Sequence, residues 1–459
     1  MAALIDILRG GDWLNAGRLR LWALAVLAAA AGGLVYLVAT SSGLNDYQGR
    51  PLGTDFSNVY AAGTYVLEGR PAAPFDPRLQ HAREQEIFGA ATPFYGWHYP
   101  PLFLFVAAAL ALLPYQLALI VWQGATLALY QLAIRMIVAS VVLPSPLWGG
   151  STREARRGGG DPESHRTTPT PYPSPPSGRS RPSSTGYGGG ELPNLWLLLA
   201  LAFPAVFVNL GHGHNGFLTA ALFGFALVQL HRQPVAAGIL FGLIAYKPQF
   251  GLLIPLVLAA TGRWRSFAAA AVTVAALAAF TTFWFGAETW RAFFTFAEYT
   301  RSIVLETGET GWHKIQSVFS WARMWGASVP LAYAVQGAAT LAVAGALIWL
   351  WRSPVAFALK AAALCLATIL ATPYSLDYDL MLLAPAIAFL ALDGLARGFA
   401  PYEKTALAAL WAVPLVARGL AQAALIPLGV IAMLIVFALV LRRARADLGA
   451  PEGAPLPAR

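Results

Sequence analysis

The sequence predicts an all-α, polytopic membrane protein of about eleven or twelve helices, and three observations carry that prediction. The 459 residues are 57% hydrophobic and only 12% charged, against about 25% charge in an ordinary soluble domain. The runs Leu19–Ala39, Leu192–Leu210, Phe267–Phe285, Val329–Leu350 and Leu420–Leu441 are apolar, and each approaches the roughly 20 residues that cross a bilayer. No barrel-like alternation of polar and apolar residues is visible, so helices are left as the way to satisfy the backbone in lipid.

Charge fixes the expected orientation. A net charge of +9 suggests nucleic acid in a soluble protein, but here the basic residues fall between apolar runs. Their attraction to anionic lipid explains them, and no nucleic-acid partner is expected. The first apolar run follows Arg9, Arg18 and Arg20 without a small-residue cleavage site, which predicts a retained helix. Cys365 is the single cysteine and excludes an intrachain disulfide.

With Arg18, Arg20, Arg135, Arg232, Arg263, Arg352, Arg397 and Arg442–Arg445 all cytoplasmic, the amino terminus lies inside and the loop from Asn45 to His98 outside. Pro101–Leu113 is bounded by prolines and too short to span, which predicts an interfacial or re-entrant helix before an inward crossing by Gln116–Val142. The rival topology sends both across. Leu192–Leu210 then runs outward and Phe217–Leu230 returns. Val235–Ala260 breaks at Lys247–Gln249, as two half-helices would. Phe267–Phe285 leads to an outer loop over 287–325, and TPYSLDYD (Thr372–Asp379) reaches the outer surface after Val355–Leu370. The expected organisation is therefore 1–142, with the first helix, outer loop and second helix; a low-complexity insert at 143–190; the remaining bundle at 191–441; and a cytoplasmic tail at 442–459. The insert is rich in Pro, Gly, Ser, Thr and Arg; it cannot bury an apolar core and is expected to be disordered.

Every polar cluster of note falls on the outer side in this topology: Asp46 and Asp55; His98 in GWHYPP; His212, His214 and Asn215 in GHGHNG; Lys247; His313 and Lys314; Asp377 and Asp379. Charges at membrane depth are costly and mark function. Two of the acids also have a bland explanation, Asp55 as the cap of a helix beginning at Phe56 and Asp379 as the cap of the helix Leu380–Leu392. Two histidines at spacing two are a weak metal signal without a third ligand, so no metal site is assigned.

The order of these pieces, a loop-one Asp, then HYPP, NLGHGHNG, AYKPQ and TPYSLDYD, resembles the bacterial polyprenyl-phosphate-dependent glycosyltransferases of the membrane GT-C class, closest to the polyprenyl-phosphate-mannose-dependent mannosyltransferases. The resemblance covers most of the chain outside the insert. It implies transfer of a hexose, mannose by family likeness, from a polyprenyl-phosphate sugar donor to a lipid or glycan acceptor at the outer face of a bacterial inner membrane. Asp55 takes the place of the family's catalytic Asp, and His98 stands in its His-Pro-Pro-like motif. Gly213, His214 and Asn215 occupy a turn in which His replaces the more usual Gln. Thr372, Pro373, Ser375 and Asp377 match the late motif, and His313 a later outer-loop histidine.

A glycosyl phosphate already carries a fair leaving group, so one general base, Asp55, suffices and the transfer inverts configuration. Cations at the departing phosphate are expected from Lys247, His313, Lys314 and Arg301. His212, His214, Asn215, Asp377, Asp379 and Trp312 are expected to contact acceptor or sugar. No cofactor is required, although a divalent cation between Asp55 and Asp377 is chemically allowed. The main alternative is a transporter or flippase, for which broken helices with a Lys at depth are also expected. Against it stand the one-sided clustering, the long first outer loop and the absence of matching halves. An acyltransferase would need a compact HxxxD pair, which is missing after His81.

Overall fold

Helices that are apolar around their whole circumference belong in lipid or in the middle of a helical bundle, and the fold sorts them between those places. The computed structural model describes residues 2–142 and 191–449; the expected low-complexity insert lies outside the described residues. The elements are α1 (Ala2–Gly10), α2 (Ala16–Ala39), α3 (Phe56–Leu67), α4 (Pro77–Phe88), α5 (Leu104–Ala111), α6 (Tyr115–Val142), α7 (Glu191–Leu201), α8 (Pro204–His212), α9 (Gly216–Gln229) and α10 (Pro234–Gly242). They continue as α11 (Leu253–Ala260), α12 (Trp264–Phe285), α13 (Ala287–Tyr299), α14 (Val318–Met324), α15 (Val329–Arg352), α16 (Phe357–Leu370), α17 (Leu383–Arg397), α18 (Glu403–Ala424) and α19 (Leu428–Gly449). The protein is an all-α, multi-pass membrane protein.

Among the described residues, six stretches are long and apolar enough to cross a bilayer: α2, most of α6, α12, α15, α18, and α17 with the turn that leads into it. The apolar run Leu192–Leu210 predicts one crossing, and within it α7 and α8 meet at a 48° bend. Pro204 at the start of α8 explains it, because proline withholds an N–H and its ring obstructs the preceding turn. The break at Lys247 is present: α10 ends in a 3-10 turn at Leu243–Tyr246, and a second 3-10 turn at Pro248–Gly251 leads into α11. Pro101–Ala111 stays short, an eleven-residue apolar segment packed against α3. At the carboxyl end α19 runs on through Arg442 to Gly449.

The helices start where local chemistry tells them to. Asn15 accepts from the Arg18 N–H at 2.9 Å to cap α2, and Asp76 accepts from the Arg78 N–H at 2.8 Å to open α4 behind Pro77. Ser317 and Ser320 form a reciprocal capping box at α14. Each arrangement satisfies amide groups that the first helical turn leaves unpaired.

The centre of the molecule is α16, buried from Ala361 to Leu370, with α17, α15 and α19 against it. By contrast α2 and α12 show most of their surface to lipid. At one end, the first long loop folds into a cap of α3, α4 and α5. Its closest approach is at Gly63 of α3, where a Cβ would lie 2.1 Å from the Ala107 carbonyl oxygen of α5. That distance forbids any side chain unless the two backbones separate, and it fixes the height of α3 above the bundle.

Gly63→Ala is therefore expected to lower stability by about 1–3 kcal/mol, the usual cost of overpacking, with a measurable fall in Tm in detergent. An unchanged Tm would mean that α3 and α5 are free to move apart.

Candidate active site

The site is organised by the turn between α8 and α9. Gly213 ends α8 in the left-handed conformation, φ +71°, which costs glycine nothing and other residues strain. A Cβ there would also come within 2.5 Å of the Phe56 Cβ. Buried Asn209 ties the turn from inside: its Oδ1 accepts from the Gly216 N–H at 2.9 Å, and its Nδ2 donates to the Tyr378 carbonyl at 3.1 Å. From α6, Gln123 donates to the Asn209 carbonyl and Trp122 to the Gly213 carbonyl. The turn then reaches the first loop directly, the Asp55 N–H donating to the His212 carbonyl at 2.9 Å.

Asp55 stands at the cap position of α3, yet its side chain makes no capping hydrogen bond. Its Oδ2 lies 2.6 Å from His214 Nε2 instead. Burial works to raise the Asp55 carboxyl, but His214, with smaller help from His212 and His98, outweighs it and holds the group at about 2. His98 is pushed down to about 4 by burial, against which Asp55 pulls weakly, so its ring is neutral at physiological pH. His98 Nδ1 meets Thr300 Oγ1 at 2.9 Å, leaving Nε2 as the ring's other polar atom. Thr300 opens a π-helical stretch, Thr300–Glu306, a distortion that recurs at functional positions. His212 is held by Thr54, whose Oγ1 sits 2.6 Å from Nδ1.

Below His214 lies the ring of Tyr378, stacked with centroids 3.5 Å apart. The turn carrying Tyr378 is pinned by a buried ion pair, Lys247 Nζ to Asp379 Oδ1 at 2.5 Å, with both side chains 3% exposed. Asp379 also caps its own turn, accepting from the Leu376 N–H at 3.0 Å. The Gln316 N–H donates to the Ser375 carbonyl at 2.6 Å, which carries the 312–317 segment to the same place.

These elements enclose a cavity of about 550 Å³ with comparable polar and apolar walls, within the usual range for small-ligand sites. Asp55, His98, His212, His214, Lys247, Lys314 and Asp377 line it, so residues scattered over six stretches of sequence meet. Asp379 stands behind the wall as the partner of Lys247. Asn215 is buried beneath the turn, where its carbonyl accepts from Thr219. Trp312 donates its indole N–H to the Leu305 carbonyl at 3.0 Å and packs under the Arg323 guanidinium. Neither Trp312, Asn215 nor His313 is on the cavity wall; His313 is near enough that Arg418 and Lys314, after burial, lower its basicity. Arg301 is exposed and paired with Glu298 at 3.0 Å.

Sequence reasoning missed the wall residues Arg418 and Asn58 and the buried Glu84. Arg418 lies in α18, and its Nη1 approaches Asp377 Oδ2 at 3.3 Å; an arginine inside an apolar run was a signal that could have found it. Asn58 sits one helical turn after Asp55, 4% exposed, with its Oδ1 unpartnered. Glu84 is fully buried and accepts from the Tyr95 N–H at 2.9 Å, steadying the 93–99 stretch. Burial pushes its carboxyl up to about 8, a state that nothing in its local sequence announces.

Asp55, His212 and His214 each offer one ligand atom, all within 4.8 Å of one another, so the cluster is compatible with holding a metal ion. A two-His, one-carboxylate set suits zinc or a similar borderline ion better than magnesium or calcium. A cation there would compete with the direct Asp55–His214 hydrogen bond and with the hold of Thr54 on His212. The His214 Nδ1, buried without a partner, is the one nitrogen of that ring it leaves unengaged.

The family model described as glycosyltransferase family 87 matches residues 97–373, more than half of the chain. No curated protein and no solved structure matches it.

The buried Lys247–Asp379 pair makes a direct prediction. Lys247→Met alone strands a buried carboxylate and is expected to cost about 3–5 kcal/mol, whereas adding Asp379→Leu recovers much of that loss. Thermal unfolding of both variants measures it; equal Tm values for the single and double variants would show that the pair does not pin the Tyr378 turn.

Proposed function

From the premise that the chain belongs to glycosyltransferase family 87, a family of polyprenyl-phosphate-sugar-dependent hexosyltransferases, we propose that it moves a hexose, mannose by family likeness, from polyprenyl phosphate to a hydroxyl of a lipid or glycan acceptor at the outer face of a bacterial inner membrane, with inversion and with Asp55 as the general base. One observation carries this reading: an ionised carboxylate, held by His214, opens onto a cavity whose walls also bear cations.

In the proposed step the acceptor oxygen attacks the anomeric carbon from the face opposite the phosphate. The new C–O bond forms as the bond from that carbon to the phosphate oxygen breaks, the acceptor proton passes to Asp55, and polyprenyl phosphate leaves with the bonding pair. Asp55 at about 2 is a weak base, so its main contribution is to aim the hydroxyl and to stabilise charge developing on the attacking oxygen. His98, neutral and anchored by Thr300, orients the hydroxyl or the phosphate through its remaining nitrogen. His212, through the nitrogen that Thr54 leaves free, and Asp377 supply hydrogen bonds to sugar or acceptor, while His214 acts through Asp55. Of the expected phosphate cations, Lys314 is the one on the cavity wall without an ion pair among the described residues. Lys247 serves the Tyr378 turn.

The polar groups gather in one cavity, an arrangement that supports a transferase over the transporter alternative, whose substrate path would need polar groups along both halves of the membrane.

Two measurements test the reading. In nanodiscs with a polyprenyl-phosphate hexose and a lipid acceptor, the product's anomeric configuration, read by NMR, is expected to be opposite to the donor's; retention would require a covalent intermediate and overturn the single-base step. Removing His214 leaves burial of Asp55 opposed only by the smaller influences of His212 and His98, so its pKa rises. For His214→Ala the acid limb of the kcat/KM profile is expected to move to higher pH, into a range where wild type is flat. An acid limb that does not move would separate His214 from the ionisation of Asp55.

A further inference from the structure

The cavity wall has an imbalance that the Asp55 chemistry does not use. Arg50, Lys314 and Arg418 line the cavity. Among the described residues neither Arg50 nor Lys314 makes a side-chain ion pair, and Arg418 reaches Asp377 at a long 3.3 Å with its side chain still 40% exposed. The remaining cation, Lys247, is neutralised by Asp379; of the acids on the wall, Asp55, Glu309 and Asp377, Asp55 is engaged by His214 and Asp377 by Arg418. Lys314 feels the result: after burial, Arg418 is the largest influence lowering its basicity, and Arg50 adds to it. With Lys247 and Asp55 each engaged elsewhere, three cations, Arg50, Lys314 and Arg418, share the cavity with two acids, Asp377 and Glu309, an excess that favours an anion.

Arg418 belongs to a span-length apolar helix, where a guanidinium is costly unless it has a partner or a use. The helix that carries it packs against the 312–314 segment and the 377–382 turn. Asp377 is itself oriented, its Oδ1 accepting from the Tyr378 N–H at 2.9 Å, so its Oδ2 steers one Nη of Arg418 and leaves the rest of the planar fork free. That fork matches phosphate oxygens in pairs, as a lysine cannot. Arg418 also lies beyond the residues matched by the family model, so the match contributes nothing to its role.

Resting on the proposed function, we propose that Arg418 and Lys314 grip the phosphate of the polyprenyl donor, with Asp377 positioning the guanidinium, and that the grip tightens as the sugar leaves. The donor phosphate is a diester with one negative charge. When the bond to the anomeric carbon breaks it becomes a monoester carrying about 1.5 to 2 charges at neutral pH. A two-cation site therefore binds the departing group better than the donor, which stabilises the transition state more than the ground state.

The test uses the full chain in nanodiscs and two readouts: direct binding of undecaprenyl monophosphate, and donor and acceptor kinetics. Arg418→Gln is expected to weaken monophosphate binding roughly ten- to hundredfold and to lower kcat more than it raises donor KM, with acceptor KM unchanged. Arg418→Lys recovers part of the binding, Lys314→Gln weakens it in the same direction, and undecaprenol, without phosphate, binds wild type and Arg418→Gln alike. Wild-type monophosphate affinity in a monodisperse Arg418→Gln protein, or a change confined to acceptor KM, would overturn the proposal. Inorganic phosphate competing as strongly as the prenyl phosphate would identify a soluble-anion site and overturn the lipid assignment. The binding arm does not depend on turnover: if wild type transfers no sugar, the proposed function fails while loss of binding in Arg418→Gln still supports the phosphate grip.

Discussion

The 2.6 Å contact between Asp55 Oδ2 and His214 Nε2 is the interaction on which the rest of the site depends. It joins two segments that arrive from different directions, the first residues of a loop-borne helix and a turn between two helices of the bundle. For the contact to exist, Gly213 must lie flat against Phe56, Asn209 must close the turn, and α6 must hold it from behind through Trp122 and Gln123. The ring of His214 then needs a floor, which Tyr378 provides, and Tyr378 needs an anchor, which Lys247 and Asp379 provide. A carboxylate near apolar walls would otherwise gain a proton; the imidazole keeps it charged.

This arrangement divides labour between neutral and charged groups. His98 is driven neutral by burial while Asp55 stays ionised, so neighbouring groups differ in state because their partners differ. A carboxylate so stabilised has little appetite for a proton. On the proposed reading it acts chiefly by placing an acceptor oxygen in line with a bond that is already inclined to break, and the electrostatic demand shifts to the phosphate, where the cations are.

Much of this was legible in the sequence, for identifiable reasons. Lipid leaves few places for charge, so Asp55, Lys247, Asp377 and the histidines stood out from an apolar background, and the distribution of Arg residues put them all on one side. What each polar group does was harder to read. Asp55 at the start of a helix looks like a cap in one dimension; only the approach of His214, from far along the chain, shows its side chain turned elsewhere. Lys247 reads as a free cation beside a proline break because its partner lies 132 residues away. Trp312 reads as a sugar platform beside His313 and Lys314, yet its N–H is used by a local carbonyl. Arg418 was visible as an arginine in an apolar run but sat in a weakly bounded region whose register gave no reason to aim it at the cavity. The bend at Pro204 was missed because apolar composition runs unbroken through it.

The central claim is that Asp55 carries the transfer, and the most direct test compares wild type with Asp55→Asn in nanodiscs, with binding of polyprenyl phosphate measured alongside turnover. The account predicts a fall in kcat of about a hundred- to ten-thousandfold, the usual contribution of a general base, with lipid-phosphate binding preserved. Transfer at the wild-type rate by Asp55→Asn would contradict it.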